Sequence, residues 1–400
     1  MADQGNDESI WVSTEASIRC THKSGSSNAL TTFSNLPDNE SDGLGNFAIT
    51  VKEETNKEEA VAIFSHQQSY NHPSILRTHS INKTRSGQIL TMTERVPPLS
   101  FQQWLNKPGL KHWEMALDGS IVGLSDEVRK VLKQVGDGLK TMMFTRNQFH
   151  GRLEEGIRVS SAGDVKVVIM SPRRDNLTNF EFEEGLKTDI GVFKNLIEKI
   201  EVVRPLHSPR PPFLVLFHLL CDKALSLSGK ALRDVAYFVY TNAAFYTDEE
   251  KIKLIFKLED FLDTNFRIIG NLLNFNKEPV NMKNWVQTIL QEPIFSPLRV
   301  SFRNEKWVYE NRNHGIFMFY RNTLGHFSDN DLQHEVRQRR LATMKMLSRV
   351  FPEFIPKLFF LVATEVRENE AKFGEQDALT GDIVNNDLVV FLRQGRDALP

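Results

Sequence analysis

Cysteine is nearly missing from this chain: Cys20 and Cys221 are the only two in 400 residues. With no Cys-x-x-Cys pair, a disulfide framework and a four-thiolate zinc site are excluded, and both residues read as plain reduced thiols. Long apolar runs are missing too. The longest, Phe213-Leu214-Val215-Leu216-Phe217-His218-Leu219-Leu220, falls far short of the roughly 20 residues that span a bilayer. Net charge is small: 49 Lys+Arg stand against 51 Asp+Glu, a formal −2, so no global field points to nucleic acid or a membrane. The opening residues Met1-Ala2-Asp3-Gln4-Gly5-Asn6-Asp7-Glu8 have neither the basic end nor the apolar core of a signal peptide. The expectation is a soluble cytoplasmic protein, with the nucleus as the alternative compartment and no membrane partner. What the chain does have, 40 % hydrophobic and 25 % charged residues, is a globular composition long enough for two or three domains.

The charges are unevenly spread. Residues 1–60 hold eleven acids and four Lys+Arg, and Ser, Asn, Asp and Gly dominate 21–46, which predicts loop or partial disorder. Alternating β-branched residues predict strands over Asn46–Val51 and Gln88–Thr93. A helix is expected from Glu58 to Gln68, ending before Asn71-His72-Pro73. Val128, Val131, Leu132, Val135, Leu139, Met142 and Met143 recur at helical intervals, and short strands fit Ile157–Val159 and Val165–Met170. Beyond Thr188 the pattern is helical, with helices near 188–200, 213–223, 230–241, 248–263, 281–291, 308–324, 334–349 and 353–368. A strand-rich start and an all-helical end predict α+β followed by all-α.

His150-Gly151-Arg152-Leu153, between a long helix and two short strands, resembles the catalytic loop of the protein kinases. Val51-Lys52 matches that family's third-strand lysine, and His72-Pro73 the pair after its C helix. Thr188-Asp189-Ile190-Gly191 matches the start of its F helix, where an Asp braces the catalytic loop. The charges that phosphoryl transfer needs are lost, however. The catalytic Asp aligns with Arg152, a cation that accepts no proton. The loop Lys is Glu154, the metal-binding Asn falls on Gly156 or Ile157, and Ser171-Pro172-Arg173 stands where magnesium's carboxylate belongs. The glutamate that would pair Lys52 falls at Ala62 or Ile63. The resemblance therefore implies a pseudokinase, with Mg-ATP binding disfavoured and Lys52 a degenerate nucleotide-site lysine, structural or solvated.

Asn242-Ala243-Ala244-Phe245-Tyr246, then Ile252–Phe256, Trp285 and Phe351-Pro352, resemble the family of ribonuclease L and the inositol-requiring kinase/endoribonuclease, in which a kinase domain leads into a helical KEN ribonuclease module. The implied fold is α+β: a two-lobed protein-kinase-like fold followed by an all-α KEN-type ribonuclease domain. Its divisions are an acidic, partly disordered segment over 1–45, a pseudokinase domain over 46–243, the ribonuclease domain over 244–370 and a polar tail over 371–400.

That family's active site is Arg-Asn-x-x-x-His with a tyrosine one helix earlier. Here Arg321-Asn322-Thr323-Leu324-Gly325-His326 and Tyr309 match it. The types suit metal-free RNA cleavage. An imidazole exchanges protons near neutrality, a guanidinium grips phosphate in a forked geometry, and an amide adds a neutral donor. By resemblance, His326 is the general acid, Tyr309 the base or a 2′-hydroxyl contact, and Arg321 and Asn322 phosphate binders. The implied products are a 2′,3′-cyclic phosphate and a 5′-hydroxyl end, with no metal or other cofactor. Residues 301–350 hold nine Lys+Arg against five acids, a modest footprint for RNA phosphates. Lys306 and Arg337 belong to it, and Trp307 and Phe327 are candidates to stack on bases. Each assignment has a plain counterpart. Arg321 and His326 also fit as surface residues at a helix end, Tyr309 as a packed tyrosine, and Arg337-x-Arg339-Arg340 as a solvated helix face. The resemblance implies a homodimer acting on RNA. The alternative is a non-catalytic adaptor that binds RNA or restrains an active homologue.

Overall fold

The computed structural model describes residues 8–12, 17–21, 29–32, 48–54, 56–83, 89–115, 121–174, 176–205, 210–264, 313–325, 333–351, 354–355 and 358, with side chains described from Asn56 on. Helix and strand are mixed, α+β in general class. Residues 1–110 with 130–203 make one compact unit, and 111–129 with 204–400 make a second.

In the first unit, β1 (Glu8–Val12) and β2 (Ser17–Thr21) pair antiparallel. β3 (Ala29–Thr32) opens a four-stranded antiparallel sheet of order β3-β4-β6-β5, built with β4 (Ala48–Glu54), β5 (Thr78–Lys83) and β6 (Ile89–Glu94). These three early strands differ from the expected loop or partial disorder before residue 46. The polar linkers dominate the composition there, but short runs such as Ile10-Trp11-Val12 suffice to pair as strands. Lys52 lies in β4 opposite Thr91 of β6. Between β4 and β5 runs α1 (Lys57–Gln68), started by Asn56, whose side chain accepts from the Glu59 N–H at 3.2 Å.

β5 has no counterpart in the sequence reading, and the reason is chemical. Ile81 is its only apolar residue, and its buried Thr78 is satisfied by polar contacts: the hydroxyl donates to the Gln67 side-chain oxygen, and the Gln68 amide donates to the Thr78 carbonyl. β7 (Leu99–Ser100) leads directly into α2 (Phe101–Leu105). Ser100 and Gln103 close a capping box at that junction. Next in sequence, β8 (Trp113–Met115) and β9 (Ile121–Leu124) belong to the second unit.

α3 (Asp126–Arg146) follows, and Val131, Leu132, Val135, Leu139, Met142 and Met143 are all at most 2 % exposed, as their spacing demands. α4 (Leu153–Gly156) precedes β10 (Ile157–Val159) and β11 (Val165–Val167), which form a small sheet with β7 in the order β11-β10-β7. α5 (Asn179–Val202) begins well before the predicted start near 188. A capping box of Thr178 and Glu181 nucleates it, so Asp189 sits mid-helix on the buried face rather than at an N-terminus.

In the second unit β8 and β9 pair antiparallel, Trp113 opposite Leu124. α6 (Pro212–Leu225) has proline in its first turn, where no N–H is needed. It packs on α7 (Gly229–Tyr240) across a turn that places Gly229 at φ +58°, a conformation glycine adopts without strain. A 3-10 turn, Ala243–Phe245, sets the Phe245 ring edge-on to Phe217 at 5.6 Å. α8 (Asp248–Thr264), α9 (Asn313–Gly325) and α10 (Gln333–Val350) pack on one another. Their shared core holds Ile255, Ile316, Phe317, Phe319, Tyr320, Met344 and Leu347, each at most 2 % exposed. The predicted helix at 281–291 and most of that at 353–368 lie outside the described residues. Among the described residues, no helix is long and apolar enough to cross a membrane.

Candidate functional site

Two clusters gather the residues singled out by sequence, one in each unit. In the first unit, the Asp189 carboxylate, 1 % exposed, accepts the backbone N–H of His150 at 2.5 Å and of Gly151 at 2.9 Å. The His150 ring faces the Val168 carbonyl through Nε2 at 2.8 Å and takes the Arg152 N–H on Nδ1 at 3.2 Å. That pair of partners requires the neutral Nε2–H tautomer, because a carbonyl only accepts and a backbone N–H only donates. Two glycines make the packing possible. A Cβ on Gly156 would overlap the His150 ring and lie 2.8 Å from the Val168 carbonyl, and one on Gly185 would overlap the Phe149 ring.

Burial shifts both ionisable groups toward their neutral forms. Asp189 is pushed up to about 7 from 3.8, against the pull of its two N–H donors. His150 is pushed down from 6.5 to about 4, chiefly by burial. Between pH 3.8 and 7 the folded chain keeps an Asp189 proton that the unfolded chain has released. Stability from Asp189 is therefore complete below about pH 4 and lost as pH rises through 7. His150 acts oppositely: its contribution is present above 6.5 and lost as pH falls toward 4. Across pH 4.5–6.5 the two slopes oppose each other. An Asp189→Asn variant is thus expected to gain stability with rising pH over this window, relative to wild type, with the slope of about one proton. Urea titrations at several pH values measure it, and parallel slopes in the two proteins would contradict it.

Around this clamp the charged side chains pair with one another. Arg152 is exposed and paired with Glu155, while Glu154 is paired with Lys199. Ala62 and Ile63 are half-buried on α1, where the acids Glu58 and Glu59 are exposed in the first turn. The Lys52 side chain lies outside the described side chains. α1 is tied to the segment after β11 by hydrogen bonds: His66, 2 % exposed, sets Nδ1 at 3.0 Å from the Ser171 carbonyl and Nε2 at 3.0 Å from the Tyr70 hydroxyl. Gln67 donates to the Ile169 carbonyl at 3.2 Å. The sequence reading assigned these residues nothing. His66 on α1 and Tyr70 just past its end, four residues apart, were the available signal.

In the second unit, α9 carries Arg321 and Asn322 one turn before its end at Gly325. The Arg321 guanidinium donates through Nη1 to the Asn322 side-chain oxygen at 3.1 Å, and Asn322 is 9 % exposed. Beneath them Tyr320 is sealed: its hydroxyl donates to the Leu347 carbonyl at 3.1 Å, its ring packs 4.8 Å from that of Phe354, and burial raises its pKa well above the ordinary phenol value. From α10, Arg337 pairs with Glu249 of α8, while Arg340 reaches the α9 end and donates through Nε to the Leu324 carbonyl at 2.9 Å. The helix thus brings the guanidinium and amide together. His326, Tyr309, Lys306, Trp307 and Phe327 lie outside the described residues.

No protein-family model and no curated protein matches the chain. Among the described residues, no group of three or more His, Cys, Asp or Glu side chains is placed to hold a metal ion. What the α9 end offers is a fixed cation coupled to an amide, the donor set for a phosphodiester. Arg340 there was read only as part of a charged helix face.

Proposed function

We propose that this protein is a metal-independent endoribonuclease of the KEN type, with a catalytically dead kinase-like domain as its dimerisation and regulatory platform. The observation that carries the reading is the Arg321–Asn322 hydrogen bond at the end of α9, inside the pattern Arg321-Asn322-x-x-x-His326. In the proposed reaction the ribose 2′-oxygen attacks the adjacent phosphorus and the bond from phosphorus to the 5′-oxygen breaks. The 2′-proton goes to a base, for which Tyr309 is the candidate, and His326 gives a proton to the departing oxygen. Arg321 faces the doubly negative transition state. The kinase-like reading of the first unit is supported by the Asp189 carboxylate receiving the His150 and Gly151 N–H groups, as the resemblance implies for a braced catalytic loop. Loss of the matching carboxylates supports the absence of kinase activity.

The burial of Asn322 and the pairing of Arg337 with Glu249 favour the adaptor reading, since both groups are already engaged within the protein. One experiment separates the two. Purified protein is incubated with labelled single-stranded and stem-loop RNA in EDTA, over a range of protein concentrations. Ribonuclease activity gives fragments ending in 2′,3′-cyclic phosphate, with a rate that rises faster than protein concentration when the dimer is the active form. Binding without fragments is the adaptor's outcome and sinks the nuclease.

A further inference from the structure

A phosphate at the C-terminal end of a helix meets an electrostatic problem. The last four carbonyls have no partner within the helix, and their dipoles make that end negative. Arg321 and Asn322 nevertheless sit in the closing turns of α9. The group that answers this problem is Arg340. Its Nε–H is directed onto the Leu324 carbonyl at 2.9 Å, one of the orphan acceptors, and a full positive charge comes with it. The guanidinium is also held from a third direction, 5.4 Å above the ring centroid of Phe256 on α8. The same Phe256 ring lies 3.9 Å from where a Cβ on Gly325 would stand, against the last residue of α9. Three helices therefore meet at one point, where α9 stops, and Arg340 joins them.

We infer that Arg340 is a positioning residue: by capping Leu324 while stacked on Phe256, it fixes where α9 ends and cancels the negative end that would repel a phosphodiester held by Arg321 and Asn322. This rests on the ribonuclease reading for its reaction, but not for its geometry. Arg337, one turn earlier, is tied to Glu249 and has no part in the cap. A neutral side chain of similar length at 340 would keep much of the packing and remove both the hydrogen bond and the charge. A lysine would keep the charge and one donor, yet lose the planar fork that stacks and donates together.

The test compares wild type, Arg340→Met and Arg340→Lys, with a labelled oligouridine as substrate. Arg340→Met is expected to lower kcat by about 10–100-fold with KM changed no more than about threefold, because a misplaced site loses rate before it loses binding. Arg340→Lys should recover part of that loss. Independently of cleavage, hydrogen exchange at residues 321–325 should quicken by about tenfold or more in Arg340→Met, while α8 and the rest of α10 keep their protection. If KM and the salt dependence of RNA binding change and kcat does not, Arg340 is a phosphate contact and the inference is overturned. Unchanged exchange at 321–325 in a folded Arg340→Met also overturns it. If wild type leaves RNA intact in every condition while the exchange at 321–325 responds as expected, the cap stands and the ribonuclease reading falls.

Discussion

An Asp189→Ala variant is expected to lose about 3–5 kcal/mol of unfolding stability in a urea titration near pH 5, below the raised Asp189 pKa, the sum of orphaning two buried donors at roughly 1–3 kcal/mol each with some cavity cost. The side chain accepts two consecutive N–H groups, from His150 and Gly151, in a place 1 % open to solvent, so no water takes over when it is removed. The consequence spreads because His150 is itself committed to Val168 and Arg152. Asp189→Asn should cost less, about 2 kcal/mol, since the amide oxygen still serves one N–H while its NH2 group meets the other. A loss under about 1 kcal/mol for Asp189→Ala would show that the loop is held by its packed rings instead. Against a total of about 5–15 kcal/mol for a typical domain, the expected loss is large enough to unfold a marginal one.

The clamp was legible in sequence only because Asp189 and His150 stood at matching places in a known pattern. Their 39-residue separation carries no local signal. α3 was legible for a different reason. Its buried face is purely apolar, so period and burial agree residue by residue. β5 and the buried contacts of α1 show the opposite case, although the helix α1 itself was legible over Glu58–Gln68. Thr78, His66, Gln67 and Tyr70 are buried but satisfy one another and nearby carbonyls, so a hydropathy pattern gives them no weight. At the candidate site, Arg321 and Asn322 were singled out by the Arg-Asn-x-x-x-His pattern, and the hydrogen bond between their side chains is new in the structure. Arg340 was not, because a cation among Arg337, Arg339 and Lys345 reads as solvated face until the helix crossing shows which one meets a carbonyl.

For the reaction itself, His326→Ala is expected to slow RNA cleavage by about 10²–10⁴-fold, the usual worth of a general acid whose leaving oxygen must otherwise depart unprotonated. RNA binding should change little, since one imidazole is a small part of a phosphate field supplied by the nine Lys+Arg of residues 301–350. The assignment rests on the pattern Arg321-Asn322-x-x-x-His326, so the companion variants matter as much as the first. Arg321→Lys keeps the charge but gives up the forked donors, including the one that holds the Asn322 oxygen. It should lower kcat by about 10²-fold while leaving the salt slope of binding intact. Asn322→Ala leaves the Arg321 guanidinium without that acceptor and should fall between the two. A different ordering is expected of an adaptor: His326→Ala is silent, and Arg321→Lys and Asn322→Ala alter affinity with no rate to measure. An active enzyme that keeps full kcat in His326→Ala would refute the proposed acid, and with it the reason for reading these three residues as one site.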